Sequence, residues 1–401
     1  MSANEFIRVP YGSTVHGEEE IAAVVNVLRT STQMSTHVRK MEERIAALYN
    51  KKYGIMVNSG SSALYLAADL MNFEAGSEIL TPALTFSTTV APIVKKGWVP
   101  AFLDVAEGTY NVDVNKVEEM ITPKTKAMII PNLIGNLPDW QVLRDIADKH
   151  NLFVLEDSAD TLGAEIGGKS SGRFTDLSTT SFYGSHVINC GGNGGMLCVN
   201  NDAHYDRGRL LRSWGRSSSL FVESEAIENR FNVEVDGIPY DAKFVFEEPG
   251  YNIEPSEMGA AFGLVQLDKL ANNIDLRTQY YNRLRQFFEQ YEEHFILPNQ
   301  LPDSRTGWLA FAVTIRPTAP FIRRDLQIFL EKRNIMTRTV FTGNILRQPG
   351  FKNCAHKASA NGYPEADKVM RGGMLMACHH GLNEAQIQHM MDSVSTFMKT
   401  I

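Results

Sequence analysis

A histidine in a glycine-rich loop is the side chain of this sequence best suited to proton transfer. His186 lies within the segment 177–199, which reads L-S-T-T-S-F-Y-G-S-H-V-I-N-C-G-G-N-G-G-M-L-C-V. Apolar and β-branched runs flank small residues and glycines, which predicts a strand, a tight loop and a second strand. Because imidazole exchanges protons near neutral pH, His186 is a candidate acid or base. Without the surrounding motif, His186 would be interpreted as a histidine that packs in the core and has no catalytic role.

Two further segments could bind a charged ligand. The run N-S-G-S-S-A-L (58–64) follows an apolar strand and opens a helical pattern, so its backbone amides and hydroxyls could hold a phosphate. A capped helix without a ligand explains the same residues, since serine is a favoured N-cap. Asp157 ends the apolar run V-L-E-D and could pair with the protonated nitrogen of a pyridine ring. A helix cap or a structural ion pair is the alternative for this aspartate.

The elements between these segments predict how they come together. Helical patterns at 87–96, 114–121 and 140–150 separate apolar runs that predict strands at 79–86, 99–105, 127–133 and 152–157. Alternating strands and helices predict an α/β fold with a mostly parallel sheet covered on both faces. Ligands of such sheets bind beyond the carboxyl ends of the strands. That edge would carry Thr85, Asn132, Asp157, Ser181 and His186.

Length and composition predict two domains in an ordinary globular protein. The chain has 401 residues, 43% of them hydrophobic and 21% charged. We expect a large domain over 1–270 and a smaller α+β domain over 271–401, with an insertion or long loop at 214–248. The net charge is -7 and no basic run occurs, so nucleic acid is not an expected partner.

Neither a membrane segment nor a metal site is expected. The first residues lack the apolar core of a signal peptide, and no apolar run approaches the roughly 20 residues of a membrane span. The expected location is the cytoplasm. The four cysteines (190, 198, 354 and 378) form neither a disulfide framework nor a C-x-x-C pair.

The order of the motifs resembles the DegT/DnrJ/EryC1/StrS family of pyridoxal-phosphate sugar enzymes, which have the fold type I aminotransferase-like architecture. The series is N-S-G-S-S-A-L, P-A-L-T-F-S-T-T, V-L-E-D-S-A-D, S-F-Y-G-S-H and P-G-Y-N-I-E-P-S-E-M, and T-G-N-I-L-R-Q-P (342–349) extends it. The resemblance implies pyridoxal 5'-phosphate or pyridoxamine 5'-phosphate as the cofactor. Its phosphate would contact Ser61, Ser62 and Ser181, while Phe86 would stack on the ring and Asp157 would pair with the ring nitrogen.

The resemblance also implies a homodimer and a nucleotide-linked 4-keto sugar as substrate. Asn252 would reach the phosphate of the neighbouring subunit's cofactor. The position of His186 is normally a lysine that holds the cofactor covalently, and histidine there is typical of the 4-keto-6-deoxyhexose 3-dehydratases. Asp160 stands where these dehydratases carry an acidic residue. The implied activity is removal of a 3-hydroxyl, with L-glutamate as amino donor and release of ammonia.

One branch of these dehydratases carries an iron–sulfur cluster held by cysteines just after W-G-R. Here Ser217 and Ser219 lie near those positions, and serine is a poor ligand for such clusters. The sequence therefore favours the cluster-free type, which acts on GDP-4-keto-6-deoxymannose. Three alternatives stay open. The chain could be an ordinary sugar aminotransferase that uses another lysine, with Lys169 the nearest, a cluster-free relative that acts on a CDP- or TDP-linked sugar, or an inactive relative that serves as a binding protein.

Overall fold

A seven-stranded sheet is the centre of the fold in the computed structural model, which describes residues 6–221 and 226–401. With all strands numbered in chain order, the sheet order is β1-β9-β8-β5-β4-β2-β3. β9 is antiparallel to β1 and β8 and the other pairs are parallel, so six strands run in one direction. The strands are β1 (Tyr53–Val57), β2 (Glu78–Pro82), β3 (Val99–Leu103), β4 (Thr125–Pro131), β5 (Phe153–Ser158), β8 (Leu177–Ser181) and β9 (Gly195–Val199).

Helices bury both faces of this sheet. In β4, Ile129 packs in the cluster that holds the apolar face of α3, while its neighbours Met128 and Ile130 pack with Trp140 and Leu143 of α5. Successive side chains of a strand point to opposite faces, so a strand buried on both sides reads as one apolar run. The helices of this part are α1 (Glu18–Thr30), α2 (Thr36–Leu48), α3 (Gly60–Met71), α4 (Ser87–Lys95), α5 (Trp140–His150), α6 (Asp202–Arg212) and α8 (Glu257–Asp268).

A second, antiparallel sheet forms the core of the C-terminal part. The long helix α9 (Leu270–Glu289) leads into it, and its strand order is β12-β14-β16-β15. Its strands are β12 (Phe295–Ile296), β14 (Ala310–Ile315), β15 (Arg338–Thr339) and β16 (Gly373–Ala377), and its helices are α10 (Arg323–Glu331), α11 (Pro364–Gly372) and α12 (Glu384–Met398).

Short pairings join the two parts, so the boundary expected between residues 270 and 271 stays a prediction. β13 (Ser304–Arg305) pairs with β6 (Glu165–Ile166), which also pairs with β7 (Lys169–Ser170). Near the other end of the chain, Val9 forms a bridge with Ile335.

The segment 214–248 contains more regular structure than the predicted loop. Its described residues include the short helix α7 (Ile227–Arg230) and a hairpin of β10 (Val233–Val235) and β11 (Ile238–Tyr240), while residues 222–225 lie outside the described chain. Large apolar side chains are exposed here, which is unusual for a monomer surface. We call this set the apolar arm: Ile227, Phe231, Val235, Ile238, Tyr240, Phe244 and Phe246.

The predicted helix at 114–121 is wrong. The structure has two single 3₁₀ turns there, Val114–Lys116 and Glu118–Met120. The apolar residues that suggested a helix, among them Val117 and Met120, are buried against the sheet all the same. The amides of Lys116, Val117 and Met120 donate to the carbonyls three residues earlier, so this segment winds into 3₁₀ turns, which seldom extend.

No helix within residues 6–221 and 226–401 has both the length and the apolar character that crossing a bilayer requires. The cytoplasmic location stays a prediction.

Candidate active site

A cavity of about 410 Å³ lies beyond the carboxyl ends of β4, β5 and β8. Ligands of open α/β sheets bind at this edge. The starts of α3 and α4 and the loop after β8 complete its wall on the large part, and Leu309 and Phe341 contribute from the C-terminal part. Six of the predicted site residues line it: Ser61, Phe86, Asp157, Asp160, Ser181 and His186.

The start of α3 contributes hydroxyls and amides to one end of the cavity. Ser59 caps the helix, because its Oγ accepts a hydrogen bond of 3.1 Å from the amide of Ser62. The hydroxyl of Ser61 donates to Thr88 Oγ1 at 3.1 Å. At Gly60 an added Cβ would lie 2.6 Å from the Cβ of Ser181, so only glycine allows the helix start to approach β8 this closely. Helix starts of this kind bind anions.

Two predicted phosphate ligands do not line this cavity. The Ser62 hydroxyl donates to Asn58 Oδ1 at 2.6 Å, and Asn252 is exposed, with its backbone paired to Ser213. Their contacts with a cofactor, including the reach of Asn252 into a neighbouring subunit, stay predictions.

A buried carboxylate lies at the end of β5. Asp157 is 5% exposed, and its Oδ2 accepts a hydrogen bond of 2.7 Å from Thr89 Oγ1 while its Oδ1 accepts one of 3.1 Å from the amide of Ala159. Burial raises the pKa of Asp157, and these two hydrogen bonds oppose the rise. A cation bound beside the carboxylate would reverse that shift. The side chain is therefore suited to pair with a positively charged ring.

A second carboxylate, Asp160, shares the cavity. Its Oδ2 accepts a hydrogen bond of 2.9 Å from the amide of Ile134. Burial raises the pKa of Asp160 to about 7; the Ile134 amide opposes this rise and the charge of Asp157 adds to it. Asp160 can therefore hold a proton near neutral pH, whereas an ordinary aspartate cannot.

The half-buried imidazole of His186 has a defined tautomer. Its Nδ1 lies 3.2 Å from the carbonyl oxygen of Ser181. Because a carbonyl only accepts, Nδ1 carries the proton and Nε2 keeps the lone pair of the neutral ring. Desolvation lowers the pKa of His186 to about 4, the bond to Ser181 opposes this, and the nearby Arg277 charge lowers it further. The ring is thus a neutral base above that pH, placed beside the exposed ring of Tyr183.

No lysine is among the described residues that line the cavity. Lys169, the alternative suggested by the sequence, is exposed in β7. The buried Lys51 donates to the carbonyl oxygens of Gly172 and Thr175. The described wall thus lacks an amine that could hold a cofactor covalently.

Neither a metal site nor a cysteine cluster is formed by the described residues. Over 6–221 and 226–401, no three His, Cys, Asp or Glu side chains are placed to hold a metal ion together. All four cysteines are free thiols. Ser217 and Ser219 bond to their own surroundings, through the carbonyl oxygens of Ala242 at 3.3 Å and Arg216 at 2.7 Å.

Several lining residues were not predicted. Tyr183, Thr88 and Thr89 lie inside motifs that carried the resemblance, so those motifs already contained a signal for them. Tyr11 and Phe341 come from distant segments with no local pattern that points to a site. Phe341 meets Phe86 edge to face, with ring centroids 5.9 Å apart.

This fold matches solved structures over nearly its whole length. A GDP-4-keto-6-deoxy-D-mannose-3-dehydratase from E. coli, solved with bound hydrated PLP, is 26% identical, with a TM-score of 0.87 over 97% of this chain and 99% of that chain. The architecture is the fold type I aminotransferase-like fold, as predicted.

The sequence profile of the DegT/DnrJ/EryC1/StrS aminotransferase family matches residues 14–395, so the chain belongs to this family. Among curated proteins, a dTDP-4-dehydro-2,6-dideoxy-D-glucose 3-dehydratase of Saccharopolyspora spinosa is 31% identical over 97% of this chain and 86% of that protein. A GDP-4-keto-6-deoxy-D-mannose 3-dehydratase of Yersinia pseudotuberculosis is 28% identical over 96% and 98%. The predicted family is confirmed.

Proposed function

We propose that this chain removes the 3-hydroxyl of a nucleotide-linked 4-keto-6-deoxyhexose, with GDP-4-keto-6-deoxymannose as the substrate and L-glutamate as the amino donor. The observation that carries the proposal is His186, a neutral base in a cavity whose described lining has no lysine. The names of the Saccharopolyspora and Yersinia relatives support a 3-dehydratase.

Pyridoxal 5'-phosphate, or its pyridoxamine form, is the cofactor, and the cavity residues fit it. Asp157 would accept a hydrogen bond from the protonated ring nitrogen, since its buried carboxylate is stabilised by a cation. The phosphate would bind at the start of α3, where Gly60 lies close to Ser181, and would contact the hydroxyls of Ser61 and Ser181. Phe86 would stack on the ring. When bound, the cofactor's cationic ring withdraws electrons from the attached substrate carbon.

His186 would act as the base. Its Nδ1–H stays bonded to the carbonyl of Ser181, so Nε2 is the atom that takes a proton next to the cofactor ring. Because the described wall offers no lysine, it provides no residue that would retain the cofactor covalently. We expect such a site to remove the 3-hydroxyl and release ammonia. It would not form a stable amino sugar.

The net reaction gives a sharp assay. Replacing a hydroxyl with hydrogen takes up two electrons, and the conversion of glutamate to 2-oxoglutarate and ammonia supplies them. The protein with pyridoxal phosphate, glutamate and GDP-4-keto-6-deoxymannose should therefore form 3-deoxy sugar, 2-oxoglutarate and ammonia in equal amounts. An aminotransferase would form 2-oxoglutarate and an amino sugar without ammonia, and that result would refute the proposal.

The nucleotide is tested in the same assay. CDP- and TDP-linked 4-keto sugars serve as competing substrates, and the highest kcat/KM identifies the preferred one. A preference for a TDP-linked sugar, as the name of the Saccharopolyspora relative would suggest, would replace GDP in the proposal and leave the chemistry unchanged.

We also propose a homodimer whose sites are shared across the interface. The apolar arm exposes seven large apolar side chains in the single chain, and Tyr251, next to the exposed Asn252, is 43% exposed. Large exposed apolar patches mark interaction surfaces. A second copy that covers this surface would bring Asn252 to the neighbouring cofactor phosphate.

A further inference from the structure

We propose that Arg277 and Asn273 of α9 are positioning residues that hold the backbone of the His186 segment, and thereby aim its imidazole. This role deepens the proposed function of His186 as the base. The two residues are four apart in the helix and therefore lie on one face, and both are buried, Arg277 fully and Asn273 at 5% exposure.

Three successive carbonyl groups of the segment accept hydrogen bonds from this helix face. Asn273 Nδ2 donates to the carbonyl of Val187 at 3.1 Å. Arg277 Nη2 donates to the carbonyls of His186 and Ser185, at 3.2 and 3.4 Å. Carbonyl groups withdrawn from water need donors, and α9 supplies a donor to each of these three. The helix therefore defines where this loop lies.

The other nitrogens of Arg277 bind residues of the C-terminal part. Nη1 donates to the carbonyls of Trp308 and Leu309, at 2.8 and 3.2 Å, and Nε donates to Nδ1 of His380 at 3.2 Å. Within the described chain no carboxylate forms an ion pair with this guanidinium. Burial lowers the pKa of Arg277 to about 10, so the side chain stays charged at neutral pH.

These contacts depend on the planar guanidinium, whose three nitrogens donate in different fixed directions. Nη2 reaches the His186 segment and Nη1 reaches Leu309, and both His186 and Leu309 line the cavity, so Arg277 fixes these two parts of its lining relative to each other. A lysine keeps the charge but has a single nitrogen, which cannot reach both parts in this way. A misplacement of a catalytic group by about 1 Å can cost about 100-fold in rate.

The test is the variant Arg277→Lys, compared with Arg285→Lys. Arg285 lies on the same helix, is partly exposed and pairs with Glu289, so its change should alter nothing. For Arg277→Lys we expect kcat to fall roughly 10–100-fold with KM and cofactor absorbance near those of the wild type. Amide hydrogen exchange across residues 183–190 should become faster, while exchange in β4 and β5 stays unchanged.

Three results would overturn the proposal: unchanged exchange across 183–190, unchanged kcat, or a loss expressed in KM alone. If Arg277→Lys unfolds, Asn273→Ala gives the same test, because it removes the donor to Val187 only. The exchange measurement needs neither substrate nor cofactor. If no 4-keto sugar is turned over, exchange in the free protein still decides whether α9 holds the segment, and the proposed function alone fails.

Discussion

At the scale of single residues, the surroundings of His186 turn an ambiguous histidine into a candidate base. Its partner through Nδ1 is a carbonyl, which fixes the tautomer, and the residue itself lines the cavity beside Tyr183. A histidine that only packed in the core would not need to line a cavity. Nδ1 is bonded to Ser181, and Nε2 can still accept a proton.

Replacing His186 with asparagine should separate binding from chemistry. The variant keeps Asp157, Ser61 and Ser181, so cofactor binding measured by absorbance should stay within a few-fold of wild type. Turnover should fall about 100–10,000-fold, the range typical of lost general acid–base catalysis. Unchanged turnover would remove His186 from the mechanism. His186→Lys should instead bind the cofactor covalently, with absorbance at about 420 nm, and lose deoxygenation.

The low pKa of His186 predicts a pH dependence of stability in the cofactor-free protein. With a folded pKa of about 4, against about 6.5 when unfolded, the unfolded chain binds the extra proton between these values. Stability is therefore lost as the pH falls from 6.5 toward 4. His186→Asn should lose less stability than wild type between pH 7 and 5, by on the order of 1 kcal/mol.

Urea unfolding at the two pH values measures this difference. The exposed His16 gives a matched control, and His16→Asn should follow the wild type. Equal losses in the wild type and the His186 variant would mean that the ring is not desolvated in the fold.

The sequence could predict only those site residues that lie in local patterns. Asp157 and Ser181 lie at the carboxyl ends of β5 and β8, and such ends meet at one edge of a parallel sheet whatever the side chains are. Tyr11 and Phe341 reach the cavity from segments far away in sequence, so no local spacing indicates them. Arg277 lies in an amphipathic helix, where a buried arginine looks like any charged residue of the exposed face.

At the scale of elements, the start of α3 is the clearest link between sequence and site. The strand, glycine and serine pattern predicted a helix start there, and the structure adds the contact of Gly60 with Ser181. The local sequence predicted the helix start, and only its packing against β8 shows how that start contributes to the cavity.

The variant Gly60→Ala tests this contact. Its Cβ would lie 2.6 Å from the Cβ of Ser181, which forces the helix start away from β8. We expect the cofactor Kd to rise at least about 10-fold, because the phosphate contacts would no longer converge. Gly350→Ala is the control, since a Cβ there meets nothing within 4 Å. Equal affinities of the two variants for pyridoxal phosphate would contradict the assignment.

Element boundaries were less predictable where distant segments compete for the backbone. The strand expected at 79–86 ends at Pro82, because the chain beyond it bonds to the C-terminal part. The carbonyl of Ala83 accepts from the amide of Ile345 at 2.9 Å, and the carbonyl of Thr85 accepts from the Thr342 hydroxyl at 2.6 Å. Such pairings depend on the assembled fold, which the apolar run alone does not specify.

At the scale of the whole molecule, the apolar arm is hard to explain in a single chain. The exposed fraction is 71% for Ile227 and 62% for Ile238, although side chains of this kind stabilise a protein only when they are buried. A covering partner would explain them. Phe244→Glu should then shift the protein from dimer to monomer in analytical ultracentrifugation. A wild-type protein that sediments as a monomer would contradict the proposal that a second copy covers the apolar arm.

Mixed dimers test whether the sites are shared. In a dimer with His186→Asn in one subunit and Asn252→Asp in the other, sharing gives one site with both changes and one with neither. Mixed dimers purified through two different tags should therefore regain about half of the wild-type activity, although each variant alone is inactive or nearly so. If Asn252 serves the site of its own subunit, both sites carry one change and no activity returns. Activity in the mixed dimer thus reports directly on the reach of Asn252 across the interface.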